Sequence, residues 1–328
     1  MPSPPSPESP ATALIALDWG TSSLRAYRLD PAGRTLEQRH SPHGITQLPV
    51  AGAEGFVQAL QLLAGDWLAA WPRAPLLACG MVGSAQGWRE APYVAVPSDF
   101  AGLAGRLVTV PVGSGRTLLI VPGLIEHREG LPNVMRGEET QIAGALALQA
   151  VDDLGLIGLP GTHSKWARVA DGRVVAFDTY MTGEVYAALS QHTLLARTLE
   201  RGGAFDEAAF RRGLETAQSE AGRRGPLSTI FSTRTLGLTG VLTAKAQADY
   251  LSGLLIGHEV QSVCRTLGAE LQGQAWQLIG DEQLCRRYQV ALRHAGVEGV
   301  RWISQATEAG LWHVAQAAGL VAGRTGLP

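Results

Sequence analysis

Apolar and polar residues follow two rhythms along this chain. Ala13-Leu14-Ile15-Ala16-Leu17 is an unbroken apolar run that stops at Asp18, the mark of a buried strand. Ser23–Leu29 and Arg34–His40 complete an antiparallel meander around the Pro31-Ala32-Gly33 turn. The period then lengthens. From Ala53 to Trp71 the residues Phe56, Leu60, Leu63 and Trp67 recur on one helical face, until Pro72 and Pro75 end it. Pro75–Cys79 and Thr117–Val121 read as short buried strands, and the first runs into a glycine-rich loop, Gly80–Trp88. Pro122–Pro132 reads as a polar connector whose Glu126, His127, Arg128 and Glu129 face water. A helix starts at Glu138 or Glu139 and runs to Ala150, its acids at the positive end of the dipole and Ile142, Ala145, Leu146 and Gln149 at helical spacing.

The second half of the chain is mostly helical. Helices are expected over Gly183–Leu199, Glu207–Ala217 and Leu242–Leu267, with a Ser-, Thr- and Gly-bearing loop at Pro226–Gly240. In the long helix, Tyr250, Leu254 and Glu259 mark a face that is only partly apolar. Two strand–helix pairs close the chain, Ala275–Ile279 with Asp281–His294 and Val300–Ser304 with Thr307–Leu320. Such alternation implies an α/β layer with sites at strand C-termini.

The opening pattern returns. Leu156-Ile157-Gly158-Leu159-Pro160-Gly161-Thr162-His163-Ser164-Lys165-Trp166 is again strand, Gly-Thr turn, strand, and its Gly-Thr stands 141 residues after the first, Gly20 to Gly161. Asp30 and Asp171 keep that spacing, and each following turn reaches a Gly and an Arg, Gly33-Arg34 and Gly172-Arg173, with one residue fewer in the second copy. A Gly-Thr turn presents backbone N–H groups and hydroxyls to an anion, and the Asp18 carboxylate beside it could hold a divalent metal. Asp-x-Gly-Thr also simply closes hairpins. The repeat favours two similar lobes, 13–152 and 153–328, whose Gly-Thr loops face each other.

Composition narrows the field. A chain of 328 residues has room for two cores, and 45% hydrophobic residues with mean hydropathy +0.05 describe an ordinary soluble protein. A formal net charge of −2 gives no case for nucleic acid or an anionic membrane as partner. Cys79, Cys264 and Cys285 lack metal-ligand spacing and fit buried thiols in a reducing cytoplasm. Residues 1–12, rich in Pro and Ser, read as a disordered tail rather than a signal peptide, and no run reaches the roughly 18 apolar residues of a membrane span. His40 and His43 read as solvated.

Two lobes that each open with a Gly-Thr hairpin resemble the sugar-kinase/actin/Hsp70 superfamily. Four segments together resemble the 2-dehydro-3-deoxygalactonokinase family: Leu17-Asp18-Trp19-Gly20-Thr21-Ser22, Gly80-Met81-Val82-Gly83-Ser84-Ala85-Gln86-Gly87-Trp88, Val134-Met135-Arg136-Gly137-Glu138-Glu139-Thr140-Gln141 and Leu159-Pro160-Gly161-Thr162-His163-Ser164-Lys165-Trp166. The resemblance implies an α/β, two-lobed ribonuclease-H-like fold of the actin/hexokinase type with an ATP cleft between the lobes. It also implies phosphorylation of 2-dehydro-3-deoxy-D-galactonate on its 6-hydroxyl, with ATP as donor and Mg2+ as cofactor.

Phosphoryl transfer needs phosphate cradles, a metal and a proton acceptor. Gly20-Thr21-Ser22 and Gly161-Thr162 would be the cradles, with His163 and Lys165 adding donors or charge; Lys165 also fits a solvated strand lysine. Asp18 would order the metal or merely cap its hairpin. Glu138 and Glu139 are the candidate bases, where hexokinase-like relatives carry an Asp; Glu139 is preferred because Thr140 follows it, and one of the two could cap the helix or pair with Arg136. Arg136 would hold the substrate carboxylate bidentately, with Arg25 the alternative unless it pairs with a neighbouring acid. Ser84, Gln86, Trp88 and Tyr93 would complete the sugar-acid site, and Gly280 would let backbone approach the adenine.

The implied partners are the sugar acid and ATP, with room for a homodimer, in the cytoplasm. The rival readings are a kinase of another sugar or sugar acid and an actin- or Hsp70-like nucleotide switch. A hydrolase using His163 and Ser164 is disfavoured, since adjacent strand residues point to opposite faces.

Overall fold

The computed structural model describes residues 11–128, 130–148, 154–267 and 274–322. Among these, backbone contacts group 11–148, 169–176 and 305–322 into one compact unit and 154–168 and 177–304 into another.

The first unit opens with the expected meander, β1 (Leu14–Trp19), β2 (Leu24–Leu29) and β3 (Thr35–Ser41). Leu14, Ile15, Ala16 and Leu17 are all fully buried, because β1 lies between antiparallel β2 and parallel β4 (Leu76–Cys79) with both faces covered. Helix α1 (Ala53–Ala70) buries its Phe56–Leu60–Leu63–Trp67 stripe against that sheet. The chain continues through β5 (Val94–Ala95), α2 (Phe100–Ala104), β6 (Val108–Gly113), β7 (Arg116–Ile120), β8 (Leu124–Glu126), β9 (Asn133–Met135) and α3 (Glu138–Ala147). The main sheet runs β3-β2-β1-β4-β7-β6, and β5-β8-β9 form a small second sheet.

The second unit repeats the plan with β10 (Leu154–Leu159), β11 (Ser164–Ala170) and β12 (Arg173–Tyr180). Helices α4 (Thr182–His192), α5 (Glu207–Gln218), α6 (Ser232–Leu238) and α7 (Ala244–Leu267) precede β13 (Ala275–Ile279), α8 (Glu282–His294) and β14 (Arg301–Ile303). Its sheet runs β12-β11-β10-β13-β14, the order of the first five strands of the other sheet, with β13 and β14 parallel to β10. Two sheets of one topology are the ribonuclease-H-like duplication that the paired hairpins imply. The hairpin tip Val169–Ala176 counts with the first unit, where Val174 and Ser98 exchange backbone hydrogen bonds.

Several elements depart from the sequence pattern. The last helix, α9 (Ala306–Ala317), belongs with the first unit rather than with 153–328: Gly310 sits so close to α3 that a Cβ there would stand 1.8 Å from the Thr140 carbonyl oxygen. The connector 122–132 contains β8, and Glu126 pairs with Arg128 at 2.7 Å; strands of three residues are too short to show alternation. Within 226–240, α6 is anchored by fully buried Thr233. The helix expected to reach Leu199 stops at His192, where Thr193 starts a separate turn by accepting from the Leu195 amide. The expectations for the tail to residue 10, for Glu129, for Gln149 and Ala150, and for a boundary near Asp152 lie outside the described residues.

Candidate active site

In the first unit the β1–β2 turn is gripped on its carbonyl side. The amides of Ile45 and Thr46 donate to the carbonyls of Gly20 and Thr21 at 3.1 Å, and the Thr46 hydroxyl donates to Thr21 as well. Gly44 packs so tightly that a Cβ would lie 2.3 Å from the Thr21 carbonyl oxygen. Thr21 and Ser22 remain exposed, with amides and hydroxyls of the kind that receive an anion.

Asp18 stands in register with Arg25, whose Nη1 donates to Oδ2 at 3.3 Å, so Arg25 has the acidic neighbour allowed for as the alternative to a substrate carboxylate. The Asp18 pKa is raised, first by burial and then by the Glu138 charge, against the pull of Arg25. Glu308, in the first turn of α9, feels the charges of both Asp18 and Arg25 and is itself pushed up, mainly by burial. No pattern in the chain points to Glu308; it arrives from the far end of the sequence.

Two glycines bring the remaining pieces together. Gly80 (φ 93°) follows β4, and a Cβ there would lie 2.7 Å from the Trp19 carbonyl oxygen and 3.5 Å from Asp18 Oδ1. A Cβ on Gly137 (φ 105°) would lie 3.3 Å from the Gly80 Cα. Positive φ and close backbone contact at both positions call for glycine.

Helix α3 starts beside them, and both its acids turn back onto its first turn. Glu138 Oε2 accepts the Arg136 amide at 3.0 Å, while Glu139 accepts the Gly137 amide at 2.6 Å and the Thr140 hydroxyl at 2.9 Å. Glu139 is 1% exposed, and burial together with the Glu138 charge pushes its pKa up to about 8. Glu138 is half-buried and is the one whose charge reaches Asp18.

Arg136 is buried beneath this turn. Its Nη2 donates to the Ala91 carbonyl at 2.7 Å and its guanidinium lies 4.4 Å over the Tyr93 ring, yet Nε and Nη1 are buried with no hydrogen-bond partner. A Cβ on Gly83 would stand 3.1 Å from Nη1. The rest of the glycine-rich loop is engaged elsewhere. Ser84 donates to the Met81 carbonyl within its own turn, and Trp88 stacks on Phe56 at 5.3 Å and edges Trp19 at 6.0 Å. Gln86 is exposed and, with Trp88, lines a cavity of about 510 Å³ against 45–53 and Phe56; Asp18, Arg136 and Glu138 are not among its walls.

The second unit treats its Gly-Thr turn as the first does. Gly183 takes the place of Gly44, since a Cβ there would lie 2.3 Å from the Gly161 carbonyl oxygen, and the Glu184 amide donates to Thr162 at 2.9 Å. Thr162 and His163 are exposed, and His163 Nε2 bonds the Glu184 carboxylate. Lys165 is buried rather than solvated, its Nζ donating to the His163 carbonyl at 3.2 Å. Gly280 (φ 145°) sits where a Cβ would be 3.2 Å from the Pro160 carbonyl oxygen, next to this turn. A cavity of about 220 Å³ opens between Gly161, Gly183, Tyr186, Leu284, Arg287 and Tyr288.

Among the described residues no group of three or more His, Cys, Asp or Glu side chains is arranged to hold a metal, the three cysteines are free, and no helix is long and apolar enough to cross a membrane.

A sequence profile for the family described as 2-keto-3-deoxy-galactonokinase matches residues 18–314. A probable 2-dehydro-3-deoxygalactonokinase of Rhizobium meliloti is 38% identical over 311 residues, 92% of this chain and 96% of the relative. The 2-dehydro-3-deoxygalactonokinase of Escherichia coli is 34% identical over 287 residues, 87% and 90% of the two chains. A crystal structure from Sinorhizobium meliloti, assigned to the same kinase, superimposes with a TM-score of 0.80 at 35% identity, covering 93% of this chain and 98% of that one. By profile, sequence and fold, the chain belongs to the 2-keto-3-deoxy-galactonokinase family.

Proposed function

We propose that this chain transfers the γ-phosphoryl group of ATP to the 6-hydroxyl of 2-dehydro-3-deoxy-D-galactonate. Beyond family membership, the observation that carries the reading is Arg136. A buried guanidinium with two unpaired nitrogens is costly unless an anion completes it, and a 2-oxo acid brings a carboxylate. The base lies two or three residues away at the start of α3.

The transfer forms a bond between the substrate oxygen and the γ-phosphorus and breaks the bond from that phosphorus to ADP; the hydroxyl proton passes to a carboxylate. Glu138 is the better placed of the two acids, because it is half-buried and faces the Asp18 side of the turn, whereas Glu139 is enclosed by protein with both oxygens accepting bonds. This departs from the preference for Glu139, which rests on Thr140 following it as a Thr follows the Asp in several hexokinase-like relatives. Glu139 holds the turn, and its proton keeps the pair from carrying two charges.

The two Gly-Thr turns receive phosphate oxygens through their amides and hydroxyls, and His163 adds a donor at the second. The purine occupies the cavity beside Gly161, and Gly280 stands next to the same turn at the Pro160 carbonyl. Asp18 is the carboxylate that would hold Mg2+, an ion commonly bound by one or two carboxylates together with phosphates and water. Bound there, Mg2+ would neutralise phosphate charge. Free thiols agree with a reducing cytoplasm, and a homodimer is compatible with the exposed apolar side chains of Leu227, Phe231 and Leu238.

A coupled ADP-release assay tests the reading, with the galacto- and gluco-configured acids, an N-acetylated amino sugar and no acceptor as its arms. Release fastest with the galacto acid supports it. Another preferred sugar moves the assignment to a different acceptor, and equal slow release without acceptor supports a nucleotide switch.

A further inference from the structure

Helix α7 carries an acid where its packing face should be apolar. Glu259 is 3% exposed and lies between Val260 and Ile256, both core residues of the second unit. Its two oxygens are fully engaged. Oε1 accepts the Trp166 indole N–H at 2.7 Å, and Oε2 accepts the Tyr288 hydroxyl at 2.7 Å. The Tyr288 proton being spent there, its oxygen accepts from the Ser164 hydroxyl at 2.9 Å. Burial pushes the Glu259 carboxyl up, and bonds from Thr182, Trp166, Tyr288 and Ser164 pull it back in part.

The partners share a location. Ser164 and Trp166 are the first residues of β11 after the Gly161-Thr162 turn; Thr182 opens α4, whose next residues clamp that turn; and Thr182 and Tyr288 wall the cavity at Gly161. A buried carboxylate is poor value for stability alone, since an apolar residue of similar size serves a core as well or better, but several converging donors fix geometry. We propose that Glu259 is a positioning residue for the second phosphate turn, holding β11, α4 and α8 in the arrangement that receives the nucleotide. The inference rests on reading Gly161-Thr162 as a phosphate-binding turn.

Glu259→Gln keeps the shape but removes the charge: with its carbonyl oxygen on the indole N–H, its N–H₂ must donate to the Tyr288 oxygen, which reverses the Tyr288 and Ser164 bonds and replaces charged hydrogen bonds by neutral ones. Tyr288→Phe keeps the packed ring and removes the link to Ser164. Both variants and the wild type are assayed for the KM of ATP, the KM of the sugar acid and direct ADP binding by calorimetry, with thermal melts alongside. The expected result is an ATP KM and an ADP Kd raised about tenfold, the scale of one lost charged hydrogen bond, with the sugar-acid KM unchanged. Unchanged nucleotide affinity in both variants, or equal shifts in the two KM values, overturns the proposal. Wild-type protein that binds no ADP overturns the underlying reading instead, and that failure is visible before any variant is compared. If Glu259→Gln does not fold, Tyr288→Phe decides.

Discussion

Arg136 combines a permanent charge, burial and two unpaired nitrogens, and these properties make it the most exposed point of the account to experiment. Lysine at this position keeps the charge but offers no planar fork, and it gives up the stack over Tyr93. Arg136→Lys should raise the KM for the sugar acid at least tenfold and leave that for ATP alone; a parallel rise in both would remove the arginine from the substrate carboxylate. The acids at the start of α3 divide differently. Glu138→Gln should lower kcat by about 10²–10⁴, the usual contribution of a positioned base, with ADP still bound. Should Glu139→Gln show that loss and Glu138→Gln none, the roles are exchanged.

Glu139 has its own signature in stability. Its carboxyl holds a proton to about 8 in the folded protein against an ordinary value of 4.5. Between those pH values the folded state binds more protons than the unfolded one, so stability falls as pH rises, by an amount on the order of a few kcal/mol. Denaturant unfolding from pH 5 to 8.5 should show that decline, and Glu139→Gln should flatten it. A curve of unchanged slope in the variant would mean that another group titrates.

Among the elements, the packing of α9 on α3 carries the clearest prediction. Gly310 and Gly144 let the helices touch backbone to backbone, and a Cβ at either would come within 1.8 Å of the opposite carbonyl oxygen. Gly310→Ala should therefore destabilise the protein by about 1–3 kcal/mol in denaturant unfolding, while a neutral result would show the helices free to separate. The longer runs are legible in part: the β1 run and the Phe56–Trp67 stripe emerge nearly as drawn, whereas six-residue β6, with Pro111 inside it, goes unassigned. Three-residue β8 and β9 and seven-residue α6 escape, because so few residues cannot carry a period. The return of α9 to the first unit escapes for another reason: glycines at 144 and 310 read as helix weaknesses until the partner is seen. At the candidate site, Asp18, Arg136 and Glu138 are legible because each stands in a short motif, Leu17–Ser22 or Val134–Gln141, and Glu308, which no motif marks, is not. Glu259 left a trace as the polar break in a helical face, but its partners come from β11, α4 and α8, which no local pattern connects.

For the molecule as a whole, the repeat in the sequence becomes a repeat in topology. Each unit has an antiparallel meander followed by two parallel strands, and each clamps its Gly-Thr turn with a glycine, Gly44 or Gly183, pressed against a turn carbonyl. The copies have diverged in chemistry. The first keeps Asp18, Arg136 and the paired glutamates; the second keeps a cavity beside its turn and a buried carboxylate network. The central claim is that these two halves serve one transfer. The direct measurement is phosphorus NMR of purified protein incubated with ATP, Mg2+ and 2-dehydro-3-deoxy-D-galactonate. The account predicts ADP and the 6-phosphate of the sugar acid appearing in equal amounts; ADP accompanied by inorganic phosphate, with no sugar phosphate, would contradict it.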